Sequence, residues 1–374
     1  MPGLLPDIDP DGLLEYSVVY TDRSLNHMSC AFQQVMTDIA RDLRHAYNAH
    51  AVAIVPGGGT FAMEAVARQF AADRHALIVR NGFFSYRWTQ ILDAGSIAAT
   101  STVLSARALH AGSQAPFAPA PLEQIVATIR SERPGIVFAP HVETASGMIL
   151  PQEWIAAIAE ATHAVGSLFV LDCIASGAIW VDMRASGVDV LISAPQKGWS
   201  ATPCAGLVML GEEARRRIDE TTSSSFAADL KRWLGIMESY EKGGHAYHAT
   251  MPTDGLRMLR AAITETVDFG LDAAQAAQQR LGDRVRTLLA ARGFPSVAAE
   301  GFGAPGVVVC YTSDPEIHNG SRFRQAGLQT AAGVPLQCGE PADFRSFRIG
   351  LFGLDKLKDV ERTVATLERA LDTL

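Results

Sequence analysis

Residues 168–199 read LFVLDCIASGAIWVDMRASGVDVLISAPQKGW. The stretch holds two short apolar runs, Leu168–Asp172 and Val188–Ser193. Each is too short for a helix and rich in Val, Ile and Leu, as a strand buried on both faces must be. The first run ends on a carboxylate, Asp172. The second is followed by Ala194-Pro195-Gln196-Lys197-Gly198-Trp199, which places a lysine just past a strand in a loop bounded by Pro and Gly. Between the runs lies a connection long enough for a crossover, as a βαβ unit needs.

The same form repeats outward. Ala51–Val55, Ala76–Arg80 and Ile136–Ala139 are short apolar runs, and helical stretches of ten or more residues separate most of them. Residues 28–47 read as an amphipathic helix. Strands alternating with helices predict βαβ units and a mainly parallel sheet covered by helices. Ala111–Pro121 (AGSQAPFAPAP) is a Pro-rich connector. From about Thr253 the texture changes. One long Ala-rich helix is expected to about Arg280, then a helix, a strand at Gly306–Tyr311, a helix, a strand at Phe347–Gly350 and a closing helix. The expected division is an N-terminal arm at 1–20, a large α/β domain at 21–270 and a smaller α+β domain at 271–374.

The chain has 374 residues and 48% hydrophobic residues, enough to bury a sizeable core. Its net charge of −8 argues against nucleic acid as the main partner. The five cysteines are scattered and form no CxxC pair, which predicts neither a disulfide framework nor a zinc site. The acidic, proline-broken start MPGLLPDIDPDG does not read as a signal peptide. No apolar run approaches the roughly 18 residues of a membrane span. A cytoplasmic protein is expected.

In an open parallel sheet, ligands bind at the carboxyl ends of the strands. Past Val55 comes Gly57-Gly58-Gly59-Thr60 and then a helix. Such a loop lets N–H groups approach an anion; it also reads as an ordinary tight turn. It lacks the spacing of a Walker loop and of GxGxxG. Asp172, at a buried strand end, suits a cationic ring nitrogen, a metal or a helix cap. Of the five lysines, Lys231, Lys242, Lys356 and Lys358 fit a solvated surface, and Lys197 alone has the buried approach. Together the three features are the anchors that pyridoxal 5′-phosphate needs. The phosphate requires N–H donors, the pyridine nitrogen a carboxylate and the aldehyde an amine.

The sequence resembles the class V aminotransferases of fold type I, near the alanine–glyoxylate and serine–pyruvate aminotransferases. HVETASGMILP, LFVLDCIASGAIWVDM, GVDVLISAPQKGW and FRIGLFG carry the likeness, which runs from about Asn26 to the last helix. The resemblance implies that Lys197 forms the Schiff base with the cofactor and shuttles a proton. It implies that Asp172 pairs with the pyridinium nitrogen and that Ile174 packs under the ring. Gly58, Gly59 and Thr60 would hold the phosphate. Phe84, in NGFFSYRW, would stack on the ring. Thr144 would approach its phenolic oxygen, and Gln196 would lie beside that oxygen or the phosphate. Arg348 would bind the substrate α-carboxylate. Tyr247 and Thr250 would reach the phosphate of a second subunit, which implies a homodimer.

The sequence also departs from the family. EYSVVYTDRSLNHMS stands where many relatives carry a PGP motif, and it places Tyr20, Asn26 and His27 near substrate. Asn26 is therefore expected to contact substrate, whereas a lone His such as His27 is more often a helix-entry or packing residue than a base. The expected reaction is ping-pong transfer of an amino group from an alanine- or serine-like donor to glyoxylate or pyruvate. The rival within the fold is a lyase such as a cysteine desulfurase, for which Cys338, in LQCGEPAD, is the loop cysteine. A Rossmann oxidoreductase would leave Asp172 and Lys197 unexplained. A non-catalytic relative would leave Lys197, Asp172 and Arg348 without a use.

Overall fold

The computed structural model describes residues 13–374. Its centre is a seven-stranded sheet. In chain order the strands are β1 (Ala51–Pro56), β2 (His75–Arg80), β3 (Thr100–Ser105), β4 (Ile136–Pro140), β5 (Leu168–Asp172), β6 (Val190–Ser193) and β7 (Ala205–Leu210). Their spatial order is β1-β7-β6-β5-β4-β2-β3. From β6 to β3 every pairing is parallel. β7 is antiparallel to both β1 and β6. The apolar run at 205–210 escapes the alternation seen in the sequence because a loop, not a helix, joins it to β6. The sheet is thus mostly parallel with one reversed strand.

The inner strands are mostly apolar because helices cover both faces, whereas the edge strand β3 (TSTVLS) is exposed at Thr100 and Ser101. β4, β5, β6 and β7 are buried at every position. The first described helix, Cys30–Tyr47, starts where the Ser29 side chain accepts the Phe32 N–H, so the helix opens two residues later than its apolar pattern suggests. Phe32, Val35, Met36, Ile39 and Leu43 form its buried stripe.

A second, three-stranded antiparallel sheet comprises β8 (Val307–Tyr311), β9 (Ala331–Ala332) and β10 (Ser346–Gly350), in the order β8-β10-β9. Its own apolar cluster includes Leu281, Val285, Leu289, Phe323, Phe347 and Ile349. The single helix expected from Thr253 to Arg280 is instead two, Thr253–Phe269 and Leu271–Ala291. Gly270 divides them at φ 97°, a conformation that glycine adopts without strain. Among the described residues no helix is long and apolar enough to cross a membrane.

Candidate active site

Five loops leave the carboxyl ends of β1, β2, β4, β5 and β6 and meet at one cavity of about 220 Å³. It is lined by Gly59, Thr60 and Met63 from the first loop and its helix, and by Phe84 and Arg87 from the second. Val142 and Thr144 come from the third, Asp172, Ile174 and Ala175 from the fourth, and Gln196 and Lys197 from the fifth.

Gly58 is the N-cap of helix Gly59–Phe70, and no side chain caps that end. Helix N-termini carry roughly half a positive charge in their exposed N–H groups. A Cβ on Gly59 would lie 2.5 Å from Ile174 Cδ1, so this glycine lets the helix end and Ile174 close on one space.

Helix Phe83–Ala94 follows β2 and brings Phe84 and Arg87 to the cavity on one face, three residues apart. Its start is held by a fully buried carboxylate that the sequence reading missed. Glu143 accepts the N–H groups of Phe84 (3.2 Å), Ser85 (2.8 Å) and Ala145 (3.0 Å), and the Ser85 hydroxyl at 2.7 Å. Burial pushes the Glu143 carboxyl up, and these bonds oppose that push. His141, also missed, lies buried with Nδ1 2.7 Å from the Ser176 hydroxyl. Burial lowers its pKa to about 4, so it is neutral. Both belong to HVETASG, and their interior position beside a strand end was the available signal.

Asp172 is buried and accepts the Ile174 N–H at 2.9 Å. Burial raises its pKa to about 7; Glu143 adds to the rise, while the Ile174 N–H, Arg87 and Lys197 counter it. Lys197 has its proton affinity lowered by burial, then by the charge of Arg348, with Asp172 opposing. Its Nζ lies 4.9 Å from the centre of the Phe352 ring. No ion pair engages Lys197 among the described residues. The loop is fixed from behind: a Cβ on Gly198 would lie 2.1 Å from the Gly177 backbone oxygen. Gly198→Ala is therefore expected to cost about 1–3 kcal/mol and to lower activity by displacing Lys197. Thermal unfolding and an activity assay check this; an unchanged Tm would contradict the packing.

The other expected site residues stand around or outside the cavity. Arg348, on β10, donates from Nε to the Ala332 oxygen at 2.7 Å, and its guanidinium lies 5.5 Å from the Phe84 ring centre. Tyr247 is exposed, with its hydroxyl 3.2 Å from that of Thr250. Neither lines the cavity of its own chain. The Asn26 side chain donates to Glu15 at 2.7 Å and Ser17 at 3.2 Å and does not line the cavity. His27 is buried against Tyr20 and Tyr247, and its Nδ1 has no hydrogen bond among the described residues.

These features fit a single flat ring with an anionic arm, a basic ring nitrogen and an electrophilic carbon. An uncapped helix end, a buried carboxylate and an amine that no ion pair engages among the described residues border the same small space. The family model for aminotransferase class-V matches residues 13–309. The chain belongs to the class V aminotransferases. It is thus a pyridoxal-phosphate-dependent aminotransferase, which sets aside the oxidoreductase reading.

The class V chain is 30% identical over 352 residues to 2-aminoethylphosphonate–pyruvate transaminase 1 of Burkholderia lata, covering 92% of this chain and 90% of that one. It is 28% identical to 2-aminoethylphosphonate–pyruvate transaminase of Paraburkholderia phymatum, over 94% of this chain and 89% of that one. Among solved structures, alanine–glyoxylate aminotransferase from Nostoc sp. superposes with a TM-score of 0.77 at 24% identity, covering 93% of this chain and 89% of that one. Ureidoglycine–glyoxylate aminotransferase from Bacillus subtilis gives 0.75 at 22% identity, over 93% and 87%. These structural likenesses establish the fold.

Proposed function

We propose that this class V aminotransferase moves the amino group of a small, alanine- or serine-like amino acid to pyruvate or glyoxylate, in two half-reactions at one site. The observation that carries this reading is the convergence of Lys197, Asp172 and the Gly59–Thr60 helix end on one cavity. Bound pyridoxal phosphate supplies an electron sink for the charge released at the substrate's α-carbon. Lys197 would hold the group covalently through Nζ, and the same nitrogen, once the substrate amine has displaced it, would be the amine that moves the proton. Its lowered proton affinity makes the neutral amine, the form that accepts the proton, more accessible. Asp172 holds positive charge at the ring nitrogen. Phe84 and Ile174 pack the ring, and Thr144 and Gln196 offer polar contacts at its edge. Gly58, Gly59 and Thr60 hold the phosphate. Arg348 binds the α-carboxylate through its guanidinium fork.

Tyr247 and Thr250 are assigned to the site of a second copy, since both are exposed and away from their own cavity. The working form is thus a homodimer in the cytoplasm. Asn26 is assigned to substrate on the same reading, as the neighbour of His27, which packs on Tyr20 and Tyr247. The large domain spans 21–270 and the small one 271–374. Of the N-terminal arm at 1–20, residues 1–12 lie outside the described residues.

The desulfurase-like reading requires a thiolate on a mobile loop. Cys338 has its thiol pushed up to about 12, chiefly by burial. Its loop is tied down by Glu340, which accepts the N–H groups of Leu336 (2.6 Å), Gln337 (3.1 Å) and Cys338 (2.9 Å). Transamination is therefore preferred. The relatives named above favour a second donor, 2-aminoethylphosphonate, whose phosphonate also suits a guanidinium. Product analysis separates the two. Glycine formed from glyoxylate with L-alanine or L-serine supports the first donor class. Alanine formed from pyruvate only with 2-aminoethylphosphonate supports the second. No product from either pair defeats both.

A further inference from the structure

Arg87 has no place in the expected site, yet it lines the cavity beside Thr60. Its Nη1 donates to Thr60 Oγ1 at 2.9 Å, and its guanidinium lies 5.3 Å from the Phe84 ring centre. No carboxylate forms an ion pair with it among the described residues. A guanidinium turned into a cavity without a counter-ion is arranged for an anion that arrives with a ligand.

Charge arithmetic says which anion. A phosphate monoester carries about −1.5 to −2 near pH 7, and the helix end supplies roughly +0.5. The loop Gly57-Gly58-Gly59-Thr60 contributes no side-chain cation. Lys197 is engaged at the aldehyde end and Arg348 belongs with the substrate carboxylate. Arg87 is the remaining guanidinium or ammonium among the cavity-lining residues.

The bond to Thr60 adds direction. A threonine hydroxyl has one hydrogen to donate and lone pairs to accept. With Arg87 donating to the oxygen, the hydroxyl hydrogen is released toward a second acceptor. We infer that Arg87 is a phosphate-binding residue, acting by its own charge and by turning the Thr60 hydroxyl toward the same group. This rests on the pyridoxal-phosphate reading above, and its test keeps the two apart.

The test is equilibrium titration of the full chain, stripped of cofactor, with pyridoxal phosphate and, separately, with pyridoxal, which lacks the phosphate. Arg87→Gln is expected to weaken pyridoxal phosphate about 10- to 100-fold, as loss of a charge-assisted bond does. Pyridoxal should change less than about threefold on the same scale of effects. Arg87→Lys, which keeps the charge but not the fork, should fall between and serves if the Gln variant does not fold. Thr60→Val should lower phosphate-dependent affinity by less in the Arg87→Gln background than in the wild type. Equal weakening of both ligands would overturn the inference, since Arg87 would then act only by packing on Phe84. Unchanged affinity for pyridoxal phosphate would overturn it as well. Failure of the unmodified chain to bind pyridoxal phosphate would instead defeat the function reading.

Discussion

Replacing Lys197 with alanine is expected to reduce transamination by at least about 10³-fold while leaving the fold intact. The size follows from what the amine does. Positioned proton transfer alone contributes about 10²–10⁴-fold, and the covalent hold proposed for Lys197 on the cofactor would be lost as well. The intact fold follows from the environment. The contact recorded for Nζ is with the Phe352 ring at 4.9 Å, and no ion pair depends on it among the described residues. A cation–π contact of this kind is worth about 0.5–1 kcal/mol. Removing a partly buried amine also relieves the desolvation that lowers its proton affinity. Stability should thus change by less than about 1 kcal/mol. Steady-state rates and urea unfolding give both numbers. A variant with a tenth or more of the normal rate would contradict the assignment.

Asp172→Asn should produce opposite effects on activity and on the stability of the cofactor-free chain. Breaking a buried charge pair costs about 3–5 kcal/mol. If the pairing proposed with the ring nitrogen is spent mainly on the rate, the loss is roughly 10²- to 10⁴-fold. Stability runs the other way. Burial raises the carboxyl from its ordinary 3.8 to about 7 in the folded chain. The folded state therefore favours the protonated acid. The associated stability is complete below about pH 4 and is lost as pH rises through about 7. The gap corresponds to roughly 4 kcal/mol. The asparagine variant has no such charge to bury. At pH 8 the cofactor-free variant should be more stable than the wild type by about 2–4 kcal/mol, and the difference should shrink toward pH 4. Urea unfolding of both proteins at the two pH values measures it. An equal difference at both would contradict the account.

The legible parts of this site share a physical reason. Asp172 and Lys197 sit at the ends of apolar runs, and a charged group there is costly unless it has work to do. Lysine is scarce in this chain, so the buried approach of Lys197 stood out against four surface-like alternatives. The Gly-rich loop announces itself through composition. Arg87 was not legible for the converse reason: it is one of many arginines, and no local motif marks it. The available signal was its spacing of three from Phe84, which shares its helix face. Glu143 and His141 were hidden because their partners are distant in sequence; Glu143 meets Ser85 and His141 meets Ser176 only in the folded chain. In the fold, β7 was missed because no helix precedes it, and the Ala-rich stretch was read as one helix to about Arg280, without the break at Gly270. Tyr247 and Thr250 came from resemblance and Asn26 from the stretch that departs from it, and one copy of the chain does not bring them to its cavity.

The most direct test of the central claim is the absorption spectrum of the purified chain reconstituted with pyridoxal phosphate, recorded before and after adding an amino donor without any oxo acid. The account predicts a yellow protein whose visible band disappears on adding L-alanine, L-serine or 2-aminoethylphosphonate, with one equivalent of the matching oxo product released per site. It also predicts that the Lys197→Ala variant does not form that product at a comparable rate. A chain that stays colourless with pyridoxal phosphate, or a yellow one whose band survives all three donors, would contradict it.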